Sequence, residues 1–420
     1  MSKVAIIGLG YVGLPLWINF SKHVETIGFD VDEKKINTLN SSQSYIKHFG
    51  NAEIQKSIER GAEATTDFSR ISEAKMIIIC VPTPLTKNKD PDMKYVLSVL
   101  DLIKKYLKSG QILSLESTTY PGTTEELIKP IIESEGFKVG SDFHLIYSPE
   151  RENPGGEISQ ENIPKVIGGV TKKCTDLGVS FYSKVFKEMV PVSSPKIAEL
   201  VKLLENIHRA VNLGMINEFK MICDKMGIDT YEVVKAAASK PFGFVPYYPG
   251  PGWGGHCIPV DPFYFSWKAK EYGSTARFIE LAGEMNELVI DWIKLKIQSL
   301  LNNQNKAVSN SKVLLLGLSY KENVDDARES PSLEIFDFLS KNGSEVEYSD
   351  PHFPDFPITR KFNYKQKSVN INKDSLSDYD LVVVLTKHNA FDYELILQHA
   401  KMILDTRGVF EVDNKNVFRG

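Results

Sequence analysis

The chain opens on a short apolar run, Lys3-Val4-Ala5-Ile6-Ile7, and breaks at once into Gly8-Leu9-Gly10-Tyr11-Val12-Gly13. An unbroken apolar run closed by turn residues reads as a strand covered on both faces, with a tight turn and a helix behind it. A second strand, Glu25-Thr26-Ile27-Gly28-Phe29, ends at Asp30. A third run, Met76-Ile77-Ile78-Ile79-Cys80-Val81, leads into Pro82-Thr83-Pro84. Such runs predict an α/β unit with a parallel sheet, whose ligands sit at the carboxyl ends of the strands.

The same pattern returns near the other end of the sequence. Lys312-Val313-Leu314-Leu315-Leu316-Gly317-Leu318-Ser319-Tyr320 repeats residues 3–11 at an offset of 309. The run ending Glu347-Tyr348-Ser349-Asp350 matches the one ending at Asp30, and Leu381-Val382-Val383-Val384-Leu385 matches the third run. Ser319 and Glu322 stand where the first copy has Gly10 and Gly13, so the repeat predicts a kept fold and a different ligand.

Between the copies, Leu200, Val201, Leu203, Leu204, Ile207, Val211, Met215, Ile216, Phe219 and Ile222 cover most of the circumference of a helix from about Ile197 to Met226. That pattern predicts a helix buried nearly all round. Lys202, Asn206 and Arg209 share one of its faces. They form either a solvated polar stripe or the donors an anionic oxygen requires. The fold class expected is therefore α/β: two Rossmann-like domains with parallel sheets, joined by a long central helix.

Composition narrows the function. At 420 residues the length suits about three domain-sized units. With 50 basic and 54 acidic side chains, a net charge of −4 and no basic block, nucleic acid and anionic membranes are poor partners. Cys80, Cys174, Cys223 and Cys257 have no paired spacing, which favours a reducing, cytoplasmic setting over a disulfide framework or a metal site. The apolar N-terminus has the glycine pattern and no small-residue cleavage site, so it reads as fold and not as a leader.

Two stretches carry candidate chemistry. GxGxxG between a strand and a helix, with Asp30 17 residues past Gly13, is the arrangement that seats a pyrophosphate on backbone N–H groups and a ribose hydroxyl pair on a carboxylate. It predicts NAD, and the carboxylate disfavours the extra phosphate of NADP. The second stretch, GPGWGGHCIPVDP from Gly250 to Pro262, surrounds one thiol with glycine. A surface loop with an incidental thiol and a backbone approached closely by ligand share that signature.

GLGYVGLPL, ESTTYPGTT, SPERENPG, VKLLEN, PGPGWGGHCIPVDP and KENVDDARESP follow one another in this chain. In that combination, over essentially all 420 residues, the sequence resembles the UDP-glucose/GDP-mannose 6-dehydrogenase family. The segment from Lys240 to Gly273 is most similar to the branch acting on UDP-N-acetylhexosamines, and within it to enzymes that oxidise UDP-N-acetylglucosamine. The resemblance implies an NAD-binding domain over 1–194, a central helical domain for dimerisation and the catalytic loop over 195–300, and a UDP-sugar-binding domain over 301–420. It also implies a homodimer or higher homo-oligomer making precursors of surface polysaccharide.

The implied chemistry is a four-electron oxidation of a sugar carbon-6 hydroxyl to a carboxylate, with two NAD per sugar and the aldehyde held on a thiol. Cys257 matches the nucleophile of the family, and Lys202 with Asn206 matches the pair that flanks the developing oxyanion. Asp261 matches a carboxylate that handles a proton or orients water, and Glu150 and Thr118 match the groups that activate water on the thioester. Cofactor contacts are implied for Gly8, Gly10, Tyr11, Val12, Gly13, Asp30, Lys35, Pro82, Thr83, Thr118 and Arg328. Nucleotide-sugar contacts are implied for Glu150, Arg151, Lys202, Asn206, Arg209, Tyr248, Gly250, Gly252, Gly254 and Lys321. One position departs: where UDP-glucose enzymes carry a second glutamate, this chain has Pro154, with Glu152 nearby but out of register. A cysteine hydrolase using His256 and a catalytically silent nucleotide-sugar sensor are the rival readings.

Overall fold

The three apolar runs of the first copy form β1 (Lys3–Ile7), β2 (Thr26–Phe29) and β4 (Ala74–Ile79), with β3 (Glu63–Thr65) between the last two in sequence. The computed structural model describes residues 3–46, 49–86, 88–152, 158–411 and 413–420. Two compact units emerge, the first made of Met1–Glu205 with Phe263–Thr275 and the second of Asn206–Pro262 with Ala276–Gly420.

In the first unit, β5 (Ile112–Leu115), β6 (His144–Tyr147), β7 (Lys165–Gly169) and β8 (Met189–Val192) extend the sheet to the order β3-β2-β1-β4-β5-β6-β7-β8. All neighbours are parallel except β6 and β7. Val4, Ile6, Met76 and Ile78 pack on one face with Trp17 and Phe20, while Ala5, Ile7, Ile77 and Ile79 pack on the other with Val96 and Leu100. Both faces are dry, which is why the runs read as continuous apolar sequence and not as alternation.

The second unit holds the repeat as β9 (Lys312–Leu316), β10 (Glu345–Ser349) and β11 (Leu381–Val384), completed by β12 (Ile403–Asp405) and β13 (Val417–Arg419) in the all-parallel order β10-β9-β11-β12-β13. The correspondence reaches single hydrogen bonds. Gly8 N–H donates to Phe29 O at 2.8 Å, and Gly317 N–H to Ser349 O at 2.9 Å. Leu9 N–H donates to Asp30 Oδ2 at 3.0 Å, and Leu318 N–H to Asp350 Oδ2 at 2.6 Å. The copies part at the second glycine: open space surrounds a Cβ built on Gly10, whereas Ser319 is fully buried and its Oγ donates to Val324 O at 2.7 Å.

The central helix runs Pro195–Met226 as its spacing predicts, but it is not buried all round: Leu203 and Ile216 are buried as expected, while half of the apolar residues that suggested burial face outward. Leu204, Met215, Phe219, Ile222 and Met226 are exposed, Leu204 by 68%. The side chains turned into the chain are Glu199, Lys202, Asn206, Asn217 and Lys220, with Ala198, Leu203 and Ala210 among them. Apolar periodicity shows where water is disfavoured and not which molecule removes it, so an apolar face can lie outward in one chain. Among the described residues no helix is long and apolar enough to cross a membrane.

Candidate active site

The glycine loop of the first unit divides its roles among three residues. Gly8 has φ +90° and a Cβ there would stand 2.7 Å from Cys80 O; at Gly13 a Cβ would meet Gly8 O at 1.9 Å. These two close the turn and press the helix Gly13–Ser21 onto the strand, while Gly10 leaves the loop open to a phosphate. Tyr11 is exposed and Val12 half-buried beside it. Asp30, buried at the end of β2, accepts from Leu9 N–H and from Asp32 N–H, and Lys35 Nζ stands 3.2 Å from its Oδ2. Across the loop after β4, exposed Pro82 precedes buried Thr83, whose hydroxyl donates to Thr118 O at 2.6 Å and so ties the two loops together. These residues fit a dinucleotide.

The ion pair sharpens the cofactor expectation. Lys35 is already neutralised by Asp30, so a 2′-phosphate gains little from it and meets the carboxylate. NAD is expected to be used with kcat/KM at least about tenfold above NADP, the scale of one charged hydrogen bond. Asp30→Ala should narrow that gap by leaving Lys35 to the phosphate. Steady-state kinetics with both cofactors checks it; equal use by the unaltered enzyme would refute it.

Glu150 follows β6 in the same unit. Its Oε1 accepts from the backbone N–H groups of Arg151 at 2.7 Å and Glu152 at 2.6 Å, and its Oε2 from Gln160 Nε2 at 3.0 Å. Lys202 Nζ, on the inward face of the helix Pro195–Met226, donates to the carbonyl oxygen of Glu150. Glu199, one turn earlier, accepts from Gly122 N–H and Thr124 N–H, holding the loop that carries Thr118; burial pushes its carboxyl up to about 7. Arg151 is engaged by Glu205 at 2.6 Å and Pro164 O at 2.8 Å. Pro154 lies outside the described residues.

The second unit carries the thiol. None of the four cysteines is in a disulfide, and Cys257 alone is not buried. Its carbonyl accepts from Val260 N–H at 3.1 Å and Asp261 N–H at 2.8 Å, a turn that leads directly into the helix Asp261–Glu271. Asp261 is 2% exposed and its carboxylate accepts from the Asn206 amide, whose oxygen in turn accepts from Arg209. One amide therefore links an acid to a cation.

The glycines before Cys257 serve contacts within the chain. A Cβ at Gly254 would stand 2.6 Å from Tyr320 Cβ, and Gly255, at φ +84°, lies against the Tyr320 ring while its N–H donates to Arg328 O at 2.8 Å. Gly250 and Gly252 are pressed against Arg407 and Asn286, and Tyr248 is half exposed. The Arg328 guanidinium is held by Asp326 at 2.7 and 2.9 Å, and Lys321 is half-buried in the same segment. Burial and the neighbouring Arg328 push His256 down to about 4, which makes it a poor base for a hydrolase.

Two anchors of this loop escaped the reading of the sequence. Asn217 Oδ1 accepts from Gly250 N–H at 3.0 Å and Lys220 Nζ donates to Gly250 O at 2.9 Å, both side chains being buried. They lie about three and four turns beyond Asn206 on the same inward face, so helical spacing was the available signal.

Residues 2–189 match the model described as UDP-glucose/GDP-mannose dehydrogenase family, NAD binding domain; residues 196–288 match the family's central domain and 314–412 its UDP binding domain. A UDP-N-acetyl-D-glucosamine 6-dehydrogenase of Salmonella typhi is 33% identical over 93% of this chain and 90% of its own. A UDP-N-acetyl-D-mannosamine dehydrogenase of Methanococcus maripaludis is 32% identical over 98% and 94%. Among solved structures, a UDP-D-ManNAc dehydrogenase from Pyrococcus horikoshii superposes with a TM-score of 0.89 at 28% identity, covering 99% of this chain and 98% of that one.

Proposed function

The chain belongs to the UDP-glucose/GDP-mannose dehydrogenase family and is an NAD-dependent nucleotide-sugar 6-dehydrogenase, and from that premise we propose that its substrate is UDP-N-acetyl-D-glucosamine, oxidised at carbon 6 to the uronic acid. The observation that carries the chemistry is the accessible Cys257 set one turn ahead of an Asp261 fixed by Asn206. NAD, when bound, accepts the hydride of each oxidation. The Cys257 thiolate adds to the carbon-6 aldehyde; loss of the second hydride leaves a thioester, and water then releases the carboxylate. Lys202 and Asn206 are assigned to the oxygen that bears charge in these steps, Glu150 and Thr118 to the attacking water, and Asp261 to the proton exchanged at the oxygen or the thiol.

Resemblance of Lys240-Pro241-Phe242-Gly243-Phe244 and Tyr247-Tyr248-Pro249 to the acetamido branch supports the choice of sugar. UDP-N-acetylmannosamine is the second reading, favoured by the Methanococcus and Pyrococcus relatives. A panel of UDP-glucose and the gluco, galacto and manno UDP-N-acetylhexosamines, read by NADH formation, decides it. Two NADH per sugar are expected, with UDP-N-acetylglucosamine ahead of UDP-glucose in kcat/KM by roughly the 1–3 kcal/mol that such pocket contacts supply. Preference for the manno epimer would transfer the assignment to the second reading. A second copy of the chain is the partner assigned to the outward row of Met215, Phe219, Ile222 and Met226, and the unbridged thiols support a cytoplasmic setting.

A further inference from the structure

Behind Glu150 lies a buried polar cluster that the mechanism above leaves without a task. Lys165 Nζ, 3% exposed, donates to Glu116 Oε2 at 2.6 Å and to Pro149 O at 3.3 Å, and stands 4.0 Å from Glu150 Oε2. Glu116 Oε1 also accepts from Tyr182 OH at 2.5 Å, and Tyr182 OH lies 2.9 Å from Ser114 Oγ. On the other side, Gln160 Nε2 donates to Glu150 Oε2 at 3.0 Å and to Glu152 Oε2 at 3.3 Å. Its amide is fixed in that sense by Asn19 Nδ2, which donates to Gln160 Oε1 at 2.5 Å.

The charge count of this cluster is uneven. Three carboxyl groups, buried Glu116 and half-buried Glu150 and Glu152, lie about one buried ammonium, Lys165. Partial burial of a carboxylate without its own cation disfavours the charged form and raises its pKa. Lys165 is spent on Glu116 and reaches Glu150, while among the described residues the Glu152 carboxyl meets the shared amide at 3.3 Å. The balance falls on Glu152: burial, then the neighbouring Glu150, push its carboxyl up to about 7, with Lys165 opposing.

We propose that Glu152 is a positioning residue for hydrolysis, a carboxyl that shares the Gln160 amide with Glu150 and whose ionisation strengthens Glu150 as the base that takes a proton from the attacking water. The inference rests on the role given to Glu150 above. In the step, water loses one proton to Glu150 as its oxygen bonds to the thioester carbon, and the carbon–sulphur bond breaks with its electron pair leaving on Cys257. The acid formed gives up its proton to solvent. While Glu152 is neutral, Glu150 faces Lys165 and two backbone donors; once Glu152 ionises, a second negative charge on the same amide makes proton uptake by Glu150 more favourable. Among the described residues, Glu150 and Lys165 are the charged groups acting on Glu152, and Gln160 is its amide donor.

The test follows the sugar bound to Cys257 by rapid quench and intact-protein mass spectrometry in a single turnover. Four enzymes are compared between about pH 6 and about pH 8.5, the window in which such a carboxyl titrates. Unaltered enzyme should release the sugar faster as pH rises through about 7, by up to about tenfold, the rate equivalent of one unit of base strength. E152Q, neutral at every pH, should lose that limb and stay at the low-pH rate, and E152D should regain it. E150Q should accumulate the adduct and retain it. An E152Q limb identical to that of the unaltered enzyme overturns this inference alone. An E150Q adduct that decays normally overturns the role of Glu150 and this inference with it.

Discussion

Replacing Cys257 by serine is expected to abolish steady NADH formation while leaving the binding of nucleotide sugar and NAD close to that of the unaltered enzyme. The reason is the acidity of the group. A free thiol ionises near pH 8.5, so a useful fraction is nucleophilic at neutral pH, whereas a serine hydroxyl has no comparable anion. The other three thiols are buried and cannot substitute. Packing should tolerate the change, since the backbone of Gly250 and Gly255 anchors the loop and serine is close to cysteine in size. The check is calorimetric titration of both ligands beside NADH counted per active site. A burst of at most one NADH agrees with the assignment, because the first hydride leaves carbon 6 before sulphur is required. Two NADH per sugar from the serine enzyme would remove Cys257 from the nucleophile's role.

That the sequence exposed this thiol owes much to chemistry written locally. The cofactor loop, Asp30 and the repeat from Lys312 are contiguous motifs whose geometry depends on residues a few positions apart, and their strands take the predicted places in two sheets. Glu150, Glu152, Gln160, Lys165 and Glu116 are different. They meet only because β5, β6 and β7 lie side by side, and nothing in the run Lys165-Val166-Ile167 announces that its lysine is buried beside two acids. The central helix failed for a third reason. Its period was legible, but a pattern of apolar positions does not distinguish a chain's own core from a face covered by something else, and here the polar residues turned inward. Lys202 and Asn206 were found as a polar stripe, and the same stripe continues to Asn217 and Lys220.

Lys202 carries the second large effect. It is 7% exposed, and its ammonium donates to the carbonyl of Glu150. A cation held, among the described residues, by one neutral acceptor keeps donor capacity for an oxygen that becomes anionic, and a site poor in water strengthens that interaction. Lys202→Ala should therefore lower kcat by about a hundred- to a thousandfold, equivalent to roughly 2.7–4 kcal/mol by analogy with the loss of one oxyanion donor, with KM moving little. The alanine also leaves the Glu150 carbonyl without this donor, and a buried acceptor left unmade costs about 1–3 kcal/mol. A drop in melting temperature of a few degrees is thus expected alongside, and Lys202→Met, which restores the stem without the charge, should recover part of the stability and none of the rate. The two contributions separate in single-turnover experiments: lost oxyanion stabilisation slows the hydride steps themselves, whereas a loosened Glu150 slows only the release of sugar from Cys257. If Lys202→Ala raises KM and spares kcat, the lysine binds ground state and transition state alike, and its assignment to the oxyanion fails.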